Sequence, residues 1–425
     1  MDPLPAFALT LLLISFLGIR WHVPPFFNLI GGALFFGVLT GMDPDQLVTV
    51  ITNGLGRIFA LFALIILSGA IIASTLQEQG YIERIVGDIR KQAKNPFAIS
   101  GISGYLLALP VACSVTAFII LTPVLNGLGG SGARRRILLA CAAIGSLVSF
   151  GLVYPTPAVI PLVQTLAPSL SPAMYNVIAI PLSLLILALV LIVYPRWART
   201  MAGIGDEQGD QGDPLPRDDP QQGFSLGPYA PFVAILLAIP TGLVLGLSHG
   251  ALIQVIMLAG AVTALALAAP GARAGGLQRG TKHAGIIIFD ICGAGALAGV
   301  IIASGLPAAA LGEITGILPL LLVPFVLAAL IQTAQGSRVV TAVLSAGILA
   351  GTPVAGAIHP VALVLMVAAG CFLFSFVTDP YFWIISRATG ADLPAMLKNY
   401  TVPLALCGVA IYLAAAGIQV VATRL

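Results

Sequence analysis

The chain has 425 residues, 59% of them hydrophobic and only 8% charged, with a formal net charge of +3. A soluble domain carries roughly 25% charged residues, so this chain cannot cover a water-exposed surface and reads as an all-α polytopic membrane protein with broken helices. Nucleic acid is excluded as a partner, since no basic stripe with interleaved aromatics occurs. The five cysteines and four histidines are scattered, with no CxxC pair or Cys/His cluster, so neither a disulfide framework nor a metal site is expected.

The opening MDPLP lacks a basic n-region and a cleavage site, and reads as the start of a retained helix. Stretches apolar enough to span a bilayer follow at 4–19, 26–41, 58–76, 137–165, 173–195, 229–247, 251–269, 284–311, 360–386 and 398–421. Two further stretches, 97–133 and 317–350, hold two shorter apolar arms around a small, polar centre. The first centre is Leu109-Pro-Val-Ala-Cys-Ser114, the second Gln332-Thr-Ala-Gln-Gly-Ser-Arg338. Arg84, Arg90, Lys91 and Lys94 precede the first stretch and Arg134, Arg135 and Arg136 follow it. By the positive-inside rule both flanks are cytoplasmic, and the stretch enters and returns as a re-entrant hairpin. The flanks of the second, 311–318 and 351–359, have no Lys or Arg. It is therefore expected to enter from the opposite face. Ten spans with both termini outside satisfy the remaining basic loops, leaving Arg57 and Arg424 as exceptions.

Residues 201–227, rich in Gly, Asp, Gln and Pro, read as a disordered cytoplasmic linker. It separates a first half, 1–200, from a second, 228–425. The halves look related. Gly69-Ala-Ile-Ile-Ala-Ser-Thr-Leu76 matches Gly299-Val-Ile-Ile-Ala-Ser-Gly-Leu306 at an offset of 230. Ser114 matches Ser337, and Tyr154-Pro-Thr-Pro157 matches Val377-Thr-Asp-Pro380, both at 223. Five spans per half, an odd number, invert the second half. The expected plan is an inverted repeat, each half about five transmembrane helices plus one hairpin, with helices broken at the midplane as in secondary transporters.

Phe374-Ser-Phe-Val-Thr-Asp-Pro-Tyr-Phe-Trp383 resembles the late Asn-Asp-Pro-aromatic signature of gluconate permeases. Ala334-Gln-Gly-Ser-Arg-Val-Val340, on through Thr341 to Gly347, is similar to that family's Gly-Ser-Ala-Thr-Val hairpin, and the segment from Leu67 to Gly80 to its early Gly-Ala helix. Tyr154-Pro-Thr-Pro157 stands where the family has Pro-His-Pro-Gly-Pro. The ordered matches run roughly from residue 60 to 415. The resemblance implies an ion-coupled symporter of the ion-transporter superfamily in the inner membrane, carrying gluconate or a related organic anion in an elevator-like motion. Its coupling ion would be a proton or sodium, with no other cofactor. A homodimer is carried as an expectation without a sequence signal. The chain departs from the family in having no acid in the first hairpin, Gln332 where Arg is frequent, and Arg338 where the family has a small residue.

Charged groups inside a bilayer are costly and line pathways. Arg338, among Ser337, Gln335 and Thr341, is a candidate to grip a substrate carboxylate through two parallel hydrogen bonds; the alternative ties it to carbonyls or to Asp379. Asp379, in a Thr378-Asp-Pro380 break, can cap the restarted helix, pair with Arg338, or carry the coupling ion with Thr378. Asp290, some six residues into the span 284–311, is a second coupling candidate unless it meets Lys282 or His283 at the interface. Ser114 and Thr156, at breaks in the first half, suit substrate hydroxyls or an ion, whereas Thr116 reads as interhelical hydrogen bonding. His359 reads as an interfacial cap, Glu313 as solvated, and Tyr381 and Trp383 as packing at a kink.

Three other classes compete. A cation–proton antiporter would use Asp290 and Asp379, with Arg338 as counter-charge. A channel would not need two opposed hairpins, and no filter sequence is visible. An intramembrane enzyme lacks a Ser/His or His/Glu constellation at usable spacing.

Overall fold

The computed structural model describes residues 1–21, 23–92, 95–129, 132–202, 226–247, 249–306, 309, 318–376 and 378–424. The body of the expected linker, 203–225, and Glu313 lie outside the described residues, as does the side chain of Gln335.

All regular structure among the described residues is helical. Helix starts are written locally. Asp2-Pro3, Asp43-Pro44 and Asn95-Pro96 open α1 (Pro3–Arg20), α3 (Pro44–Glu78) and α5 (Pro96–Val111), each with its side-chain oxygen on an N–H of the first turn. Proline at N1 gives up a donor that has no helical partner anyway, and the Asp or Asn satisfies a neighbouring one. Between and after these come α2 (Pro25–Leu39), α4 (Tyr81–Gln92), α6 (Ser114–Gly129), α7 (Ala133–Leu152), α8 (Ile160–Leu166) and α9 (Pro172–Ala202). The second half contains α10 (Ala230–Val244), α11 (His249–Leu267), α12 (Pro270–Ala303), α13 (Leu322–Gln335), α14 (Arg338–Leu349), α15 (Pro353–Ala357) and α16 (Pro360–Leu373). It ends with α17 (Pro380–Thr389), α18 (Leu393–Met396), a π turn at Leu397–Thr401 and α19 (Val402–Ala422).

Among the described residues, five helical segments are long and apolar enough to cross a membrane: Pro44–Glu78, Arg134–Leu152, Pro172–Ala198, Pro270–Ala303 and Leu393–Ala422. The other five expected spans fall in shorter apolar helices. Two of the expected spans are interrupted around their Tyr154–Pro157 and Thr378–Pro380 breaks. The stretch 137–165 stops at Leu152 and resumes at Ile160; 360–386 stops at Leu373 and resumes at Pro380. Pro155 and Pro157 remove donors that would continue the first ladder, and Pro380 opens a new helix at the second. Two others are much longer than expected. Helices α3 and α12, 35 and 34 residues, extend the stretches 58–76 and 284–311 backwards by more than a dozen residues. At 1.5 Å per residue each reaches about 50 Å.

Those two helices form the scaffold. Gly54 of α3 lies so close to the Gly295 carbonyl of α12 that a Cβ there would collide with it, and Gly276 and Gly280 approach Thr75 and Ile71 in the same way. Small residues permit this backbone approach, which dispersion then rewards. Around the pair, α2 packs on α12 and α11 on α3. Helix α5 packs on α6 and α7, and α7 on α9; α13 packs on α14 and α16, and α16 on α19.

Both two-armed stretches are helical hairpins with tight tips. In the first, α5 ends at Val111, Ala112 turns through the left-handed region at φ 52°, and Ser114 starts α6. In the second, Gly336 turns at φ 71° and Ser337 caps α14. The second tip is seated on the break between α16 and α17: a Cβ on Gly336 would run into the Thr378 carbonyl.

Candidate functional site

The break between α16 and α17 is built by Asp379. Its Oδ1 accepts the Tyr381 N–H at 2.9 Å, capping the short helix that Pro380 starts. This leaves Oδ2 facing inward, where it accepts from Arg338 Nη1 at 3.2 Å and from the Tyr400 hydroxyl at 3.3 Å. Arg338 is the first residue of α14, so the hairpin tip delivers its guanidinium to the break. Its Nη2 donates to the Ser375 hydroxyl, and its plane sits 5.7 Å from the Phe372 ring centroid. Its Nε has no hydrogen-bond partner. Arg338 and Asp379 are 5% and 3% exposed. A pair this deep loses several kcal/mol per ion in desolvation, and only close geometry with further hydrogen bonds returns it. An arginine donor without a partner in such a place has capacity left for an acceptor.

The rest of the second tip is polar and enclosed. The Thr341 hydroxyl donates to Gln332 Oε1 at 2.9 Å, which fixes the amide, while Gln332 Nε2 is buried without a partner. Ser337 Oγ accepts the Val340 N–H at the start of α14. The Thr378 hydroxyl donates to the Thr333 carbonyl at 2.9 Å, tying the break to the first arm of the hairpin. The backbone of Gln335 ends that arm.

The first-half candidates lie in a neutral setting. Ser114 starts α6 and is buried. The Thr156 hydroxyl donates to the Phe150 carbonyl at 2.6 Å, replacing a helical bond lost where α7 stops. The first half does reach the second at Tyr381, whose hydroxyl shares a hydrogen bond with Ser146 of α7 at 3.0 Å. Its ring meets Phe118 of α6 edge-on at 5.5 Å.

Asp290 belongs to a different neighbourhood. Its Oδ1 accepts the Phe26 N–H at 3.2 Å, so it caps the start of α2 from α12. Among the described contacts it joins neither Lys282 nor His283 nor the Arg338 cluster. His359 is the N-cap residue of α16 and donates its backbone N–H to Gln419 at 2.7 Å.

Tyr400 and Ser375 were not singled out from the sequence. Tyr400 projects from the π turn, where the Val402 N–H bonds the Leu397 carbonyl five residues back. Pro403 has no N–H for the Asn399 carbonyl, which favours this widened turn, and Thr401 then donates to the Ser375 carbonyl at 2.6 Å. A proline just inside an apolar helix was the available signal. Among the described residues no group of His, Cys, Asp or Glu is arranged to hold a metal.

The profile of the GntP family permeases matches residues 3–421. A gluconate permease of Zymomonas mobilis is 25% identical over 97% of this chain and 97% of its own length. The high-affinity gluconate transporter of Escherichia coli is 24% identical, over 96% and 97%. An uncharacterized permease of Haemophilus influenzae is 25% identical, over 94% and 89%. In three dimensions the chain is similar to the YdaH transporter of Alcanivorax borkumensis, whose crystal structure was described as having an unusual topology. The TM-score is 0.57 at 14% identity over 88% of both chains, a likeness of fold alone.

Proposed function

The chain belongs to the GntP permease family, and from that membership we propose a secondary active transporter that moves gluconate or a closely related sugar acid across the inner membrane with a coupling ion. The observation that carries the reading is the Arg338–Asp379 pair, buried at a hairpin tip inside a helix break. In this scheme Arg338 binds the substrate carboxylate, Ser337, Gln335, Thr341, Ser114 and Thr156 are the candidates to recognise its hydroxyls, and Asp379 with Thr378 serves the coupling proton or sodium. When substrate takes over the guanidinium, Asp379 loses its counter-charge and favours binding a cation. That exchange links the two cargoes.

Alternating access is proposed to follow from an inverted repeat with two re-entrant hairpins that move together in an elevator fashion, both termini outside and the linker 201–227 cytoplasmic. The packing supports this reading pair by pair. Helices α5 and α7 correspond to α13 and α16, α7 and α9 to α16 and α19, and α2 on α12 to α11 on α3. Asn176 serves the first break through Tyr154, and Tyr400, 224 residues later, serves the second through Asp379.

Uptake of radiolabelled gluconate into proteoliposomes under imposed proton or sodium gradients tests the function. Accumulation under one of them is expected, and none under either sinks the reading. Single cysteines at Arg90 and Arg135 are expected to label from the same side; labelling from opposite sides removes the first re-entrant hairpin.

A further inference from the structure

A cavity of about 60 Å³ lies at the ends of several helices, lined by Arg136 at the start of α7, Tyr194 of α9, Thr389 at the end of α17, Ala391, Asn399 and Tyr400. A water occupies about 30 Å³ in the liquid, and sites for organic ligands run to about 300 Å³ or more. The cavity therefore suits a few waters and is small for a sugar acid. Its charged lining residue is Arg136. On the proposed threading this is the cytoplasmic end, where Arg134–Arg136, Arg196, Arg387 and Lys398 cluster.

One residue belongs both to this lining and to the buried cluster. Tyr400, 1% exposed, borders the cavity and donates its hydroxyl to Asp379 Oδ2 at 3.3 Å. We propose that Tyr400 is the relay through which Asp379 releases a proton to the cytoplasmic cavity, a role that rests on Asp379 being the coupling group and that commits the coupling ion to a proton.

The step balances. Protonated Asp379 passes its proton to the Tyr400 oxygen as Tyr400 passes its own to a water that, on this proposal, reaches the hydroxyl from the cavity. The products are a carboxylate, an unchanged tyrosine and a hydronium ion that leaves past Arg136. The Tyr400 hydroxyl then turns to donate to the carboxylate, which is the arrangement observed. Release is favoured when Arg338 has returned to Asp379 and stabilises its charge. The charged and titratable groups around Tyr400 are Asp379 and Tyr381 at the break, Arg338 from α14 with Cys371 of α16 close to it, and Arg136 and Tyr194 across the cavity. Tyr381 is engaged with Ser146 instead.

The test compares two activities of purified protein in liposomes: uptake of radiolabelled gluconate driven by an acid-outside pH gradient, and gluconate counterflow at equal pH, which moves no net proton. For Tyr400→Phe the driven rate is expected to fall at least tenfold and counterflow less than threefold, with the pH profile of driven uptake displaced. Equal losses in both make Tyr400 a structural residue and overturn the relay; so does an unchanged driven rate. Ala391→Met, which narrows the cavity without touching the hydroxyl, is expected to show the same split. It decides the question if Tyr400→Phe does not reach the membrane, and wild-type driven uptake in it overturns the relay. Asp379→Asn separates the two readings. If it retains proton-driven accumulation, Asp379 is not the coupling group and the relay falls with it. If it abolishes accumulation while Tyr400→Phe does not, only the relay falls.

Discussion

The two broken helices meet the same difficulty with different chemistry. Each interrupts a hydrogen-bond ladder in an apolar setting, where unpaired backbone groups are expensive. Between α7 and α8 the gaps are closed by neutral groups. Thr156 donates to the Phe150 carbonyl, Tyr175 to the Leu152 carbonyl at 2.9 Å, and the Asn176 amide brackets both backbone groups of Tyr154 at 3.1 and 2.8 Å. Between α16 and α17 the gap is closed by a buried charge, with Asp379 capping the helix and Arg338 and Tyr400 holding the carboxylate. A neutral amide that brackets a backbone group has little reason to let go. A buried ion pair stands near energetic balance and can exchange a partner for another anion. The first break is thus a fixed joint, and the second is where, on the proposed function, ligand and ion trade places.

The largest effect is expected from breaking the charged joint. Arg338→Gln leaves Asp379 buried without its counter-charge and should destabilise the protein by about 3–5 kcal/mol, with loss of gluconate uptake. Arg338→Lys keeps the charge but loses the planar fork, so it should retain the fold in a detergent unfolding assay and still bind anions more weakly. If both variants transport and unfold like wild type, the contrast between the breaks is wrong.

The tips sharpen the comparison next. Gly336→Ala adds a side chain at positive φ that also strikes the Thr378 carbonyl; with about 1–2 kcal/mol for the left-handed conformation and about 1–3 for the overlap, a loss of about 2–5 kcal/mol follows. Thr156→Ala in the neutral break should cost about 1 kcal/mol and leave the ion dependence of uptake unchanged, as read by uptake against pH at fixed gluconate. Ala112→Gly is the smallest. It relieves a left-handed alanine at about 1–2 kcal/mol but adds unfolded-chain entropy of about 0.4–1, so a net stabilisation of at most about 1.6 kcal/mol is expected in the same unfolding assay.

Much of this architecture was legible because its causes are local. Charge depletion required a membrane protein, the opening Asp2-Pro3 reads as a helix start, and the small polar centres at 109–114 and 332–338 coincide with the hairpin tips. That Asp379 could cap was legible too, since its partner is two residues away. Helix lengths were less so. Residues 44–57 and 270–283 are too polar to register as membrane spans, yet they continue α3 and α12, because helices held together along a glycine seam can extend beyond the apolar layer.

The sequence by itself determined the class, the breaks, the tips and a short list of charges whose partners it left open. Only the tertiary structure decided those partners. Arg338 meets Asp379 and Ser375 across about forty residues, Asp290 accepts from a helix-start N–H 264 residues earlier, and Tyr400 reaches Asp379 from a π turn in the last helix. Capping and helix breaking depend on neighbours within one turn, which a pattern can register. The pairing of buried charges depends on which helices meet and at what rotation, and that is set by close packing of the whole chain.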